Sequence, residues 1–313
     1  MTVTKKPILF LIFNRPETTQ EVFNQIKKYK PKQLFIGSDG PRKHKSEEIL
    51  IVENLRSGIL KQIDWECDVL TNFQDENLGC KLAVYNSINW FFENVESGII
   101  LEDDCKPTMQ FFDFCSYHLD QYNKTSNVMM ITGTNYFIDL TEKMKYSHYF
   151  SRSYTIWGLA TWKSAWETYD LDMQTWKNGD VKKNDLKYLS NKNYVLENYI
   201  CQFNEIIENR IDTWDIQWVY NCITHSGLCV TPAINMVSNI GVDCTHTSGE
   251  VTDSHFMETP DKKLTFEHNN IIIPNIELDR QLHRLKTRKA YYEGLFVRIV
   301  KKTFLFKIYK FIK

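Results

Sequence analysis

Paired cysteines, membrane-length apolar runs and a glycine-rich phosphate loop are all missing from this chain of 313 residues. Its eight cysteines, Cys67, Cys80, Cys105, Cys115, Cys201, Cys222, Cys229 and Cys244, form no Cys-x-x-Cys pair and lack zinc-ligand spacing. A cytosolic protein with free thiols is the simplest account of them. No apolar stretch reaches the roughly 18 residues of a bilayer span. Nor does the N-terminus read as a secretory leader. Lys5-Lys6-Pro7 runs into a short apolar stretch that stops at Asn14-Arg15-Pro16 without a small-residue cleavage site. The expected location is the cytoplasm.

What is present is the composition of an ordinary soluble enzyme, 42% hydrophobic and 25% charged, with aromatics raised to 14%. Many of those aromatics fall between Tyr136 and Trp218. The chain is long enough for one large α/β domain or two smaller ones. A continuous apolar run at 7–13 and strand patterns at 33–38, 67–71 and 98–101 alternate with helical patterns at 16–28, 46–56 and 81–94. The unbroken run at 7–13 fits a central strand buried on both faces. The alternation predicts right-handed βαβ units and a Rossmann-like, mostly parallel sheet flanked by helices. In the helix from Ser46, Ile49, Leu50, Val52 and Leu55 are expected to supply much of the apolar surface. Further helices are expected at 111–122, 194–207 and from 212, with strands at 128–132 and 228–231. The stretch 136–154 shows no clear order, and 182–193 reads as solvated surface.

The centre of the chemistry is Ile99-Ile100-Leu101-Glu102-Asp103-Asp104, where a buried strand runs into three carboxylates. The carboxyl ends of strands are where open α/β sheets bind ligands. Like charges at about 4 Å repel by roughly 4 kcal/mol per pair at an effective dielectric near 20, so a cation between them would relieve the conflict. Hard oxygen donors suit Mg²⁺ or Mn²⁺. The plainer reading is a solvated acidic turn that caps a helix starting near Pro107. The other strand ends, Asn14-Arg15, Asp39-Gly40 and Asn77 to Lys81, are also polar and should converge on the same crevice.

Phe10 to Pro16, Ser38-Asp39-Gly40, the Glu102-Asp103-Asp104 run with Pro107 and Phe111-Phe112 behind it, and Trp214-Asp215 at a helix start together resemble a GT-A-fold glycosyltransferase. The similarity is to the N-acetylglucosaminyltransferase I type and its bacterial hemolytic-protein-like relatives, over roughly residues 7–250. The resemblance implies a GT-A domain at 1–283, with a nucleotide-sugar-binding half at 1–135 and an acceptor-binding half at 136–283. It implies a UDP-sugar donor held by Phe13, Arg15, Asp39, Lys81, Glu102 and Asp103, with Asp39 at the uracil and Asp103 at the ribose. Mn²⁺ or Mg²⁺ would be held by Asp104 and His246, and Asp215 would be the catalytic base of an inverting reaction. Trp157, Trp162 and Trp214 are expected to stack on the sugar rings of a glycan or glycolipid acceptor. A nucleotidyltransferase shares the strand-carboxylate-metal device but usually carries a glycine-rich loop where this chain reads Asn14-Arg15-Pro16-Glu17. A catalytically inactive peripheral membrane binding protein is the other alternative.

The net charge of −1 conceals a strong asymmetry. Residues 284–313 hold ten Lys or Arg against the single acid Glu293, which leaves +9 there and −10 elsewhere. Leu295, Phe296, Ile299, Val300, Phe304, Ile308 and Phe311 recur between those cations. The pattern predicts a basic amphipathic helix suited to an anionic inner membrane face. A dimer helix or a piece docked on the domain would share it.

Overall fold

The computed structural model describes residues 4–141, 143–241, 257–267 and 269–285. The elements in order are β1 (Ile8–Ile12), α1 (Pro16–Tyr29), β2 (Gln33–Ser38), α2 (Ser46–Lys61), β3 (Asp68–Phe73), α3 (Gly79–Asn94) and β4 (Ser97–Glu102). After them come β5 (Cys105–Pro107), α4 (Met109–Gln121), β6 (Val128–Thr132), the short α5 (Ile138–Thr141), β7 (His148–Ser151) and β8 (Leu159–Trp162). Two more single turns follow, α6 (Lys163–Trp166) and α7 (Gln174–Lys177), then α8 (Asn193–Ile207), α9 (Asp215–Thr224), β9 (Leu228–Pro232) and β10 (Val237–Asn239). Residues 276–285 are helical as well.

Eight strands form one sheet in the order β3-β2-β1-β4-β8-β6-β9-β7. The pairs β1–β2, β2–β3, β1–β4 and β6–β9 are parallel; β8 and β7 run antiparallel to their neighbours. The expected α/β class with a mostly parallel, helix-flanked sheet is thus observed. The sheet is continuous from one half of the chain into the other, since β8 pairs directly with β4.

Alternation along the central strands builds the two cores. Ile8, Phe10 and Ile12 of β1, with Ile99 and Leu101 of β4, pack against α1 and α4 through Val22, Phe23, Phe112 and Cys115. Leu9, Leu11 and Ile100 face the other way, into a core completed by Ile88 and Phe91 of α3, Phe203 of α8 and Trp218 of α9. A strand apolar at every position is the signature of burial on both faces, and all five residues of β1 are buried. Strand order reverses at β1, whose neighbours β2 and β4 are both parallel to it, so the carboxyl ends of β1 and β4 flank the switch point.

Three details differ from the sequence expectation. In α2 the buried face is Glu48, Val52, Leu55 and Ile59, while Ile49 and Leu50 are exposed. Short helix turns and β7 occupy 136–154, and a 3-10 helix at Lys183–Tyr188 buries Leu186 within the stretch read as solvated. The acidic turn after β4 leads first into β5, which pairs antiparallel with β10 in register Cys105↔Asn239, and the helix expected near Pro107 follows as α4 from Met109. Among the described residues no helix is long and apolar enough to cross a membrane, and the seven described cysteines are free. The amphipathic pattern from Tyr292 and the expected metal ligand His246 lie outside the described residues.

Candidate active site

Parallel pairing of β1 with β4 sets Leu11 beside Glu102, so the residues that leave the two strands emerge together. Arg15, at the N-cap of α1, reaches across this gap. Its guanidinium bonds Asp103 through Nη2 and Asp104 Oδ2 through Nη1, the latter at 2.7 Å. Asp103 is buried and also accepts from the Phe13 backbone N–H at 3.3 Å and from Thr19 Oγ1 at 3.5 Å. Between Asp103 and Asp104 the electrostatic conflict is therefore relieved, in the protein alone, by a side chain 88 residues upstream of Asp103. Burial opposes the charge on Arg15, but Asp103 and Asp104 outweigh it and raise its pKa. Among the described residues Glu102 has no such ion pair: burial first, then Asp104, Asp215 and Asp103, push its carboxyl well above the ordinary range, against a weaker pull from Arg15. Burial likewise raises Asp103, against the pull of Arg15.

The carboxyl ends of β1, β2 and β4 and the start of α3 enclose a cleft of about 210 Å³. Phe13, Arg15, Asp39, Arg42, Glu102 and Asp103 are among its walls. Asp39 ties the cleft floor together. Its Oδ1 accepts from the N–H groups of Gly40 and Leu78, both at 2.8 Å, and its Oδ2 from Asn77 Nδ2 at 2.7 Å and Gly79 N–H at 3.1 Å. Four donors match the acceptor capacity of a carboxylate, so Asp39 acts first as a brace between β2 and the turn into α3. Arg42 lies over the Phe13 ring with its guanidinium carbon 5.4 Å from the centroid. It is held there by buried Glu48, which accepts from Arg42 N–H at 2.7 Å and Nε at 3.0 Å and from Asn14 Nδ2 at 2.7 Å. The start of α3 carries a second brace: Asp212 accepts from Cys80 N–H at 2.8 Å and Lys81 N–H at 3.1 Å.

A second cleft, of about 390 Å³, opens beside the first. Tyr136, Trp157, Asn198, Gln202, Asp215 and His283 are among its walls. Asp215 begins α9, and its Oδ1 accepts from Ile216 N–H at 2.9 Å and from the Thr213 hydroxyl. No described residue donates to its Oδ2. Asp215 belongs to both clefts electrically, since its charge reaches Glu102 and Cys80 in the first.

Phe13, Arg15, Asp39, Glu102, Asp103, Asp104, Asp215 and Trp157 thus gather around the two clefts, and three other expected residues do not. Trp162 stands at the other end of β4, paired with Ser97, with its indole N–H on Leu119 O at 3.0 Å. The ring of Trp214 is buried against Trp166 in the second core. Both are packing residues, which corrects the expectation that they stack on sugars. Lys81 points its ammonium at Asp172, 3.5 Å away, and is not among the walls of either cleft. The sequence reading passed over Arg42, Glu48, Asp212 and the amides Asn198 and Gln202. Arg42 had a signal, three residues beyond Asp39 at a strand end; the rest lie in or beside helices with no local mark.

Among the described residues no three His, Cys, Asp or Glu side chains are grouped so as to hold a metal. The chain nevertheless passes close over Asp104. Ile240 N–H donates to Asp104 O at 2.8 Å, and a Cβ on Gly241 would come within 2.7 Å of Asp104 Oδ2 and 3.1 Å of Arg15 Nη1. A larger residue there would displace the Asp104 carboxylate or the Arg15 guanidinium.

No family model and no curated protein matches the chain. Among solved structures it is similar to HddC from Yersinia pseudotuberculosis, at 11% identity and a TM-score of 0.28, over 41% of this chain and 57% of that one. It is similar to 4-diphosphocytidyl-2C-methyl-D-erythritolsynthase from Anaerococcus prevotii at 9% identity and 0.31, over 63% and 84% of the two chains. For an apo UDP-glucose pyrophosphorylase the figures are 10% and 0.37, over 74% and 93%.

Proposed function

We propose that this chain is a metal-dependent inverting glycosyltransferase that moves a sugar from a nucleotide-sugar, UDP-linked, to a hydroxyl of a glycan or glycolipid. The observation that carries the reading is the position of Asp215, a wall of the second cleft whose charge is felt at Glu102 in the first. A nucleotide-sugar in the first cleft and an acceptor in the second would meet at this carboxylate. Its Oδ1 is fixed by Ile216 and Thr213, which orients Oδ2 to take the proton of an acceptor hydroxyl. The acceptor oxygen bonds to the anomeric carbon as the bond from that carbon to the diphosphate oxygen breaks, and the configuration inverts in one displacement.

Arg15 and Arg42 offer positive charge to the diphosphate in the first cleft. Asp104 offers a hard carboxylate oxygen of the kind Mn²⁺ or Mg²⁺ takes, and His246 would be the second protein ligand. A bound divalent cation would neutralise the departing diphosphate. The test is turnover of a panel of UDP-sugars with and without Mn²⁺. Metal-dependent transfer or hydrolysis is expected, lost in Asp104→Ala. Asp215→Asn should bind UDP as the parent does and turn over about 10² to 10⁴ times more slowly. Unchanged turnover in Asp215→Asn would sink the reading. So would formation of UDP-sugar and pyrophosphate from UTP and a sugar phosphate, which would make the protein a nucleotidyltransferase.

A further inference from the structure

The second cleft shares its wall at His283, a buried side chain, with a neighbouring cavity of about 200 Å³. Ser190, Lys192, Glu277, Arg280 and Arg284 are among the other walls of that cavity. The two cavities differ sharply in chemistry. The walls of the second cleft include aromatic rings and the amides of Asn198 and Gln202 but no Lys or Arg. The neighbouring cavity brings together three cations, Lys192, Arg280 and Arg284, against one carboxylate, Glu277, which is 3.7 Å from Arg280. Lys192 is the N-cap of the 15-residue α8, so the positive end of that helix dipole adds to the same field.

This basic wall is anchored. Within residues 276–285, Asp279 turns inward and accepts from Ser151 Oγ at 2.5 Å and Arg152 N–H at 3.0 Å. His283 Nε2 is 2.8 Å from Ser153 Oγ and 3.3 Å from Tyr199 OH. Arg280 and Arg284 stand one turn apart on this pinned segment, one and five residues beyond Asp279.

We propose that the acceptor is a saccharide that carries a phosphate. Its sugar lies in the second cleft between Trp157 and the amides, and its phosphoryl group passes His283 to sit among Lys192, Arg280 and Arg284. The inference rests on reading the second cleft as the acceptor site. Arginine pairs recognise phosphate oxygens through charge-assisted, bidentate bonds. A neutral sugar has no use for them, and a phosphate in the second cleft itself would face Asp215 with no Lys or Arg among the described walls.

Titration calorimetry with glucose 1-phosphate, glucose and inorganic phosphate provides the test. The hexose phosphate should bind at least about tenfold more tightly than either of the others. The double variant Arg280→Gln/Arg284→Gln should lose that preference and keep the affinity for glucose, and Trp157→Ala should weaken glucose 1-phosphate but not inorganic phosphate. Equal affinities, no measurable binding of the hexose phosphate, or a preference that survives in the double variant would overturn the proposal. Inorganic phosphate as tight as the hexose phosphate would mark a free anion site and also overturn it. Sedimentation with phosphatidylglycerol vesicles that the double variant abolishes, while hexose and hexose phosphate bind alike, would assign the cations to a lipid headgroup instead and overturn it too. UDP affinity in the first cleft, where neither arginine lies, scores the glycosyltransferase reading separately.

Discussion

Glu48 illustrates how one buried carboxylate serves a site it does not enter. Burial works against its charge, but hydrogen bonds from Arg42 and Asn14 prevail and hold its pKa down to about 2, below an ordinary value of 4.5. A depressed carboxylate contributes stability above the unfolded pKa, and that contribution is lost as pH falls through the folded one. For Glu48 the window runs from about pH 4.5 down to about 2. The urea midpoint of the parent should fall steeply across it, and Glu48→Gln should flatten that limb while costing on the order of 2 kcal/mol at neutral pH. Parallel acid limbs in the two proteins would show that Glu48 holds no depressed charge. At this scale the sequence revealed polar residues at strand ends but not their partners. Asp103 was legible, whereas Arg15 as its counter-charge was not, because the pairing spans 88 residues and only the β1–β4 register creates it.

At the scale of elements, the start of α3 is the most exacting construction. A helix leaves its first N–H groups without intrahelical partners, and here Asp39 takes that of Gly79 while Asp212, over 130 residues downstream, takes those of Cys80 and Lys81. Gly79 adopts φ +83°, and a Cβ there would come within 2.5 Å of Asp212 Oδ2. Asp212→Ala should therefore destabilise the protein by about 1 kcal/mol, the usual cost of losing such a cap. Thermal unfolding would measure it, and a loss near zero would mean that water caps the helix equally well. The strands and helices up to β4 were readable because continuous apolar runs have few other uses. The face of α2 was misjudged: Ile49 and Leu50 are as apolar as Val52 and Leu55, and nothing local says which pair meets the sheet. The ribbon of β5 and β10 escaped altogether, since three-residue strands show no periodicity and their pairing joins segments about 130 residues apart.

For the whole molecule, the proposed glycosyltransferase activity has a consequence in the topology. The switch point at β1 and β4 gathers Glu102, Asp103 and Asp104 with one guanidinium between the last two. On the glycosyltransferase reading a nucleoside diphosphate alone would meet carboxylates that repel it, even with Arg15 and Arg42 at hand. A divalent cation alone would have to compete with Arg15 for Asp104. Together the two ligands would cancel each other's charge, and Arg15, released from Asp104, could turn to the diphosphate. Binding should then be reciprocal and positive: each ligand tightens the other by the same factor. The rise in unfolding temperature with UDP and Mn²⁺ together should exceed the sum of the two separate rises, because each ligand at free concentration c stabilises the fold by RT ln(1 + c/Kd) and each lowers the other's Kd. Arg15→Met should weaken this cooperativity from both sides. It removes the competitor, so Mn²⁺ alone binds more tightly, and it removes a diphosphate partner, so UDP gains less from the metal. Strictly additive shifts in the parent would mean that the carboxylates at the switch point hold Arg15 in place and nothing more.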